Sequence, residues 1–93
     1  MTFTIGRRAD GSPVLLASGE IDMSNAAAFA AALADAASAG PFTVDLTRVE
    51  YLDSAGLAAL FPHVDRVHLL AGPLLGPVLT IAGLDDVTTI SDS

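Results

Sequence analysis

Two short apolar runs, 14–21 and 42–46, flank a segment that reads as helix throughout. Ala26, Phe29, Ala30, Leu33 and Ala37 recur there at helical spacing. The stretch is rich in alanine, the residue with the highest intrinsic helix propensity. Asp22-Met23-Ser24-Asn25 reads as the helix start, with Asp22 or Ser24 as its cap. Gly40-Pro41 ends it with a C′ glycine and a residue that cannot continue. A strand, a helix-sized crossover and a second strand imply parallel pairing through a right-handed connection.

The rest of the chain extends that unit. Thr2 to Arg7 alternates, with Phe3 and Ile5 on one face and Thr2 and Thr4 on a solvated one. The turn signal Asp10-Gly11 joins it to Val14–Ile21, which is apolar enough to suggest a strand buried on both faces. Phe42–Leu46 is a third strand, and Thr47 to Leu52 a connection packed through Val49, Tyr51 and Leu52. A second helix opens at Asp53-Ser54 with the stripe Leu57, Leu60 and Phe61; Pro62 disfavours helical geometry at Phe61 and keeps it short. Val67–Ala71 is a fourth strand, broken by Gly72-Pro73. Gly76-Pro77 starts a third helix containing Val78, Leu79, Ile81 and Ala82, which Gly83 ends. Val87 to Ile90 is a weak final strand, and Ser91-Asp92-Ser93 a frayed end. The order β-β-α-β-α-β-α-β predicts one α/β domain over residues 1–93. Its mixed sheet has the last four strands parallel, with Phe29 and Leu33 buried against it.

Composition narrows the function. The chain is 52% apolar but only 5% aromatic, so its core is aliphatic. The formal charge is −7, with four arginines and no lysine. That balance argues against nucleic acid and anionic membrane surfaces as partners and is compatible with a basic protein. Charges, glycines and prolines interrupt every apolar stretch before it reaches membrane-spanning length, and the first residues lack a signal-peptide pattern; both point to the cytoplasm. The absence of cysteine excludes disulfides and thiolate chemistry. His63 and His68 share no ligand spacing, so no metal site is expected. No Gly-x-Ser-x-Gly turn and no phosphate-cradling glycine loop is present. The chain reads as a non-enzyme without a cofactor.

One stretch remains to be explained. Asp53-Ser54 stands where a helix opens, and either side chain can accept hydrogen bonds from the free N–H groups of the first turn. The serine hydroxyl then lies near the surface at the positive helix end, and small Ala55 and Gly56 leave the backbone open to approach. Such a hydroxyl is a natural place to hold or receive a phosphate.

Asp53-Ser54-Ala55-Gly56-Leu57, together with Gly19-Glu20-Ile21-Asp22 and Ala82-Gly83-Leu84-Asp85, resembles the STAS domains, in particular the bacterial anti-sigma-factor antagonists. The resemblance spans nearly the whole chain. It implies a non-catalytic module that binds an anti-sigma factor, often a GHKL-type serine kinase, and so frees a sigma factor. The kinase phosphorylates the module and breaks the complex; a phosphatase reverses this. Carried onto this sequence, Ser54 is the phosphoacceptor, and Asp22, Asp53, Ser54, Ala55, Gly56 and Leu57 form the partner-binding set. Many relatives carry a second hydroxyl where Ala55 stands, which leaves Ser54 as the one local acceptor. The second helix is also shorter than the family pattern. Enlarging Gly56 to leucine is expected to block docking and leave the fold intact. The resemblance also admits another role, as a non-catalytic adaptor subunit of a lipid-transport or stress-sensing assembly.

Overall fold

A computed structural model describes residues 2–38 and 40–84, and the backbone of residues 89–92. The elements are β1 (Thr2–Arg7), β2 (Pro13–Ile21), α1 (Ala26–Ala37), β3 (Phe42–Leu52), α2 (Ser54–Leu60), a 3-10 turn (Phe61–His63), β4 (Val67–Ala71), α3 (Gly76–Ile81) and β5 (Thr89–Asp92). The sheet has five strands in the order β1-β2-β3-β4-β5. β1 is antiparallel to β2, and the remaining pairs are parallel, as the sequence predicts. Phe42 to Asp45 run beside Val67 to Leu70 in the same direction.

Strand order follows chain order, so each right-handed crossover places its helix on the same side of the sheet. Leu15, Ala17, Val44, Leu46 and Leu69 face that side and are buried. Phe29 and Leu33 of α1 are fully buried against them, and the Phe29 ring stacks on Phe3 with centroids 5.6 Å apart. Burying one such side chain stabilises by about 1.5–3 kcal/mol.

The helix-free face departs from the sequence reading. β2 is not buried on both sides: Leu16, which points away from the helices, is 39% exposed. Among the described residues no helix crosses to that side, because the strand order never reverses direction. Ile5 shares the Phe3 face but is 59% exposed, since β1 is an edge strand that α1 covers only at the Phe3 end.

The segment 47–52 is not a connection. β3 continues to Leu52 and pairs with β2 as far as Ile21↔Leu52. The pairing shifts register between Leu16 and Ser18 and again between Gly19 and Glu20. Those irregularities stretch the spacing of buried residues from Val44 and Leu46 to Val49 and Leu52, which erases the period-two pattern. Gly19 sits at the second shift with φ +93°, a conformation glycine adopts without strain.

At the other end of the chain, Gly76-Pro77 does open α3, Gly83 follows it with φ +84°, and Leu79 is buried. Ile81, assigned to the same apolar pattern, is instead 87% exposed. The expected strand at Val87–Ile90 begins outside the described residues. Its described part continues to Asp92, so Ser91 and Asp92 are paired with Leu70 and Ala71 rather than frayed.

Candidate functional site

The parallel strands β2, β3 and β4 deliver their carboxyl ends to one edge of the sheet, and the loops leading into α1, α2 and α3 lie there. Asp53 is the hinge between β3 and α2. Its backbone is extended (φ −92°, ψ −174°), and the next residue is helical. Asp53 Oδ1 accepts hydrogen bonds from the N–H groups of Ala55 at 2.9 Å and Gly56 at 3.1 Å. Asp53 Oδ2 accepts the Met23 N–H at 3.1 Å, while the Asp53 N–H donates to Ile21 O at 3.1 Å. One carboxylate thus caps α2 and ties it to the loop after β2.

That arrangement settles which side chain caps. Asp53 does so, and Ser54 is the first helical residue. Ser54 is exposed, and no hydrogen bond among the described residues engages its hydroxyl. Ala55 and Leu57 are half-buried, and Leu57 packs against the core.

Gly56 overturns its expected place on the docking surface. It is buried and faces the sheet. A β-carbon built there would collide with Leu52 Cδ1 and come within 3.0 Å of Ile21 Cγ2. Its lack of a side chain lets α2 sit down on β2 and β3, so Gly56→Leu is expected to disturb the fold rather than leave it intact.

Asp22 does not cap α1, and neither does Ser24. The N-cap position is Asn25, whose side chain makes no capping bond. Asn25 Oδ1 instead accepts the Asp22 N–H, and its Nδ2 donates to Glu20 O, both at 2.9 Å. Asp22 Oδ1 accepts from Ser24 Oγ at 2.5 Å and from the Ser24 N–H at 2.9 Å. The Ser24 hydroxyl first, and its N–H second, hold the Asp22 carboxyl below its ordinary pKa, outweighing an opposing desolvation. A carboxylate pKa depressed on folding favours the folded state above the unfolded pKa, about 4, and loses that contribution as pH falls through the folded value. Ser24→Ala is expected to move the Asp22 midpoint upward in a carboxyl-carbon NMR titration. An unchanged midpoint would remove the serine as its cause.

The structure therefore brings Asp22, Asp53, Ser54, Ala55 and Leu57 to one edge, and withdraws Gly56 beneath it. Met23 and Asn25 belong to the same edge but are not legible as site residues, because Asp22-Met23-Ser24-Asn25 has the pattern of a helix start. Asn25 beside Asp22 and Ser24 is the signal that a side-chain-braced loop precedes the helix. Of the histidines, His63 meets the Phe42 ring edge-on, with centroids 6.3 Å apart, and His68 lies half-buried in β4. Among the described residues no cluster of His, Asp and Glu could hold a metal, and no helix is long and apolar enough to cross a membrane.

A parallel sheet with one antiparallel edge strand, helices on one face and an exposed serine opening the helix after β3 define a class of small α/β module. The family model described as "Mlab, STAS domain" matches residues 6–89, and the chain belongs to the STAS family. An anti-sigma factor antagonist from Mycobacterium paratuberculosis has a similar structure, with TM-score 0.88 and 29% identity. The match covers 99% of this chain and 86% of that one. The anti-sigma factor antagonist SpoIIAA in its unphosphorylated form shares the fold at TM-score 0.74 and 16% identity, over 99% of this chain and 90% of its own. No curated protein gives a significant match. The third tetrapeptide of the resemblance ends at Asp85, which lies outside the described residues.

Proposed function

We propose that this chain is a non-catalytic anti-sigma-factor antagonist of the cytoplasm, a single-domain module over residues 1–93. It binds an anti-sigma factor that is also a GHKL-type serine kinase. Phosphorylation of Ser54 releases the partner, and a phosphatase restores the binding form. Likeness to the mycobacterial antagonist supports the general role. The observation that carries the switch is the Ser54 hydroxyl itself, exposed and relieved of capping by Asp53. The transfer moves the γ-phosphoryl of ATP to Ser54 Oγ; the hydroxyl proton leaves and ADP departs. Asp22, Asp53, Ala55 and Leu57 frame the contact, and Gly56 shapes it from below.

The test incubates wild type and Ser54→Ala with the cognate kinase and ATP, then reads intact mass and complex retention. Wild type is expected to gain one phosphate and leave the complex. Ser54→Ala is expected to remain unmodified and bound. Because Ser54 makes no capping bond, the variant should also match the wild type in stability within about 0.5 kcal/mol. Phosphate on both proteins, or on neither, removes Ser54 from this role. Co-purification with a transport ATPase in place of a kinase would move the chain to the adaptor reading.

A further inference from the structure

The sheet ends at β1 without the usual protection of an edge. β1 pairs with β2 over its whole length with no register shift, so no bulge twists it away. It holds no proline and no lysine, and Arg7, its last residue, is its one charge. Arg7 Nη1 donates to Gly11 O at 2.9 Å, which draws that charge back to the hairpin turn. The opposite edge strand, β5, has four residues and carries Asp92, both ordinary ways of blunting an edge. Every second residue of β1 turns its N–H and C=O away from β2, and no further strand receives them.

The side chains along this edge are apolar on the helix side. Ile5 is 59% exposed, and a hollow of about 250 Å³ opens beside it, between β1 and the Asp35–Ala36 turn of α1. Phe3, on the same face, is half-buried through its stacking on Phe29. The other face presents Thr2 and Thr4, both exposed.

We infer that β1 is the pairing edge for a second copy of this chain, joined antiparallel about a dyad at Thr4. The pattern of β1 is self-complementary in that register. Thr4 meets Thr4, Thr2 meets Gly6, and Phe3 of each copy meets Ile5 of the other. An aromatic side chain opposite a β-branched one is a favourable cross-strand pair. A dyad at Phe3 or at Ile5 would leave one of these two apolar residues without the other. No like charges are opposed, because the two Arg7 residues stand six positions apart, about 20 Å. Pairing residues 2–6 engages few of the about 20–30 residues a side of a standard interface, so the dimer is weak and concentration-dependent. The copies run in opposite directions, which places the two Ser54 edges at opposite ends of the joined sheet. The pairing is therefore independent of the proposed function and leaves both Ser54 edges free.

The chain has no cysteine, so a single introduced thiol reports the register. Across the dyad the two residues at position 4 have Cα atoms about 4.5–5.5 Å apart, within the about 4.4–6.8 Å that a disulfide spans. The two residues at position 2 are about 14 Å apart. The experiment oxidises Thr4→Cys and Thr2→Cys chains with diamide and reads intact mass without reductant. It also follows the wild type by sedimentation from about 10 μM to about 1 mM. Expected are a disulfide-linked dimer from Thr4→Cys, little from Thr2→Cys, and a wild-type mass that rises with concentration. Ile5→Lys should keep the wild-type circular dichroism and melting, because Ile5 is exposed, and raise the dissociation constant about tenfold or more. A wild type that stays monomeric throughout overturns the inference and leaves the edge to a strand of another protein. Equal crosslinking from both positions, or crosslinking from Thr2→Cys alone, overturns the register and with it the inference. A folded Ile5→Lys chain that dimerises as the wild type does also overturns it. If Ile5→Lys fails to fold, the two cysteine variants decide.

Discussion

Gly56→Leu is expected to unfold the protein or to leave it with a small fraction of its stability. Even the β-carbon of that leucine would strike Leu52 Cδ1 and crowd Ile21 Cγ2. Leu52 can turn its terminal methyl, but Ile21 is fully buried and branched at Cβ, so it has little rotamer freedom to yield. Inserting atoms into a packed core costs about 1–3 kcal/mol and more for large additions. A small domain has about 5–15 kcal/mol in total to lose. Gly56→Ala isolates the first atom. Helix propensity favours alanine by about 1 kcal/mol, and overpacking opposes it by about 1–3 kcal/mol. The net loss of about 1 kcal/mol should lower Tm by about 4–8 °C. Thermal and urea denaturation of the two variants measure this. A Gly56→Leu protein that melts with the wild type would mean that α2 does not rest on Ile21 and Leu52.

The contrast between Gly56 and Ser54 shows where sequence reasoning stops. Both stand in one motif, and their residue types say only that a helix begins and that little side chain is wanted. Whether a missing side chain serves a partner or the core depends on which way the helix faces, and that is fixed by Leu60, Ile21 and Leu52, from three different elements. The crossover logic, by contrast, was legible from residue order alone. Helix stops at Gly40 and Gly83 and the hairpin at Asp10-Gly11 are local backbone demands, and all three glycines have positive φ. The later half of β3 is not legible in the sequence, because it loses strict alternation at the register shifts with β2, which no single strand announces. Asp53 and Asp22 were legible as site residues, but not their division of labour. The cap, the tie to Met23 and the brace through Ser24 and Asn25 require the loops of β2 and β3 to meet.

The second large effect concerns the proposed switch. Chain phosphorylated on Ser54 should melt within a few degrees of the unmodified chain, yet bind its partner at least about 100-fold more weakly, a loss of about 2.7 kcal/mol. The first half follows from position. Ser54 is exposed at the amino end of α2, where the first-turn N–H groups favour an added charge of about −1.5 to −2, while the Asp53 carboxylate opposes it. These effects are small in water and of opposite sign. The second half follows from burial. A basic group on the partner would attract the phosphate, but exposed charges interact through solvent and are screened beyond about 8 Å at physiological salt. On the proposed docking surface a docked partner would exclude water around the exposed Ser54. Removing an unpaired dianion from water there costs several kcal/mol, more than such screened attraction returns. Ser54→Glu, with a single charge, should fall between the two forms. Calorimetric titration of the partner with unmodified, phosphorylated and Ser54→Glu chains tests the order. If the phosphorylated chain binds as tightly as the unmodified one, Ser54 lies outside the buried contact. If it loses its fold, release proceeds by melting rather than by the cost of burying charge.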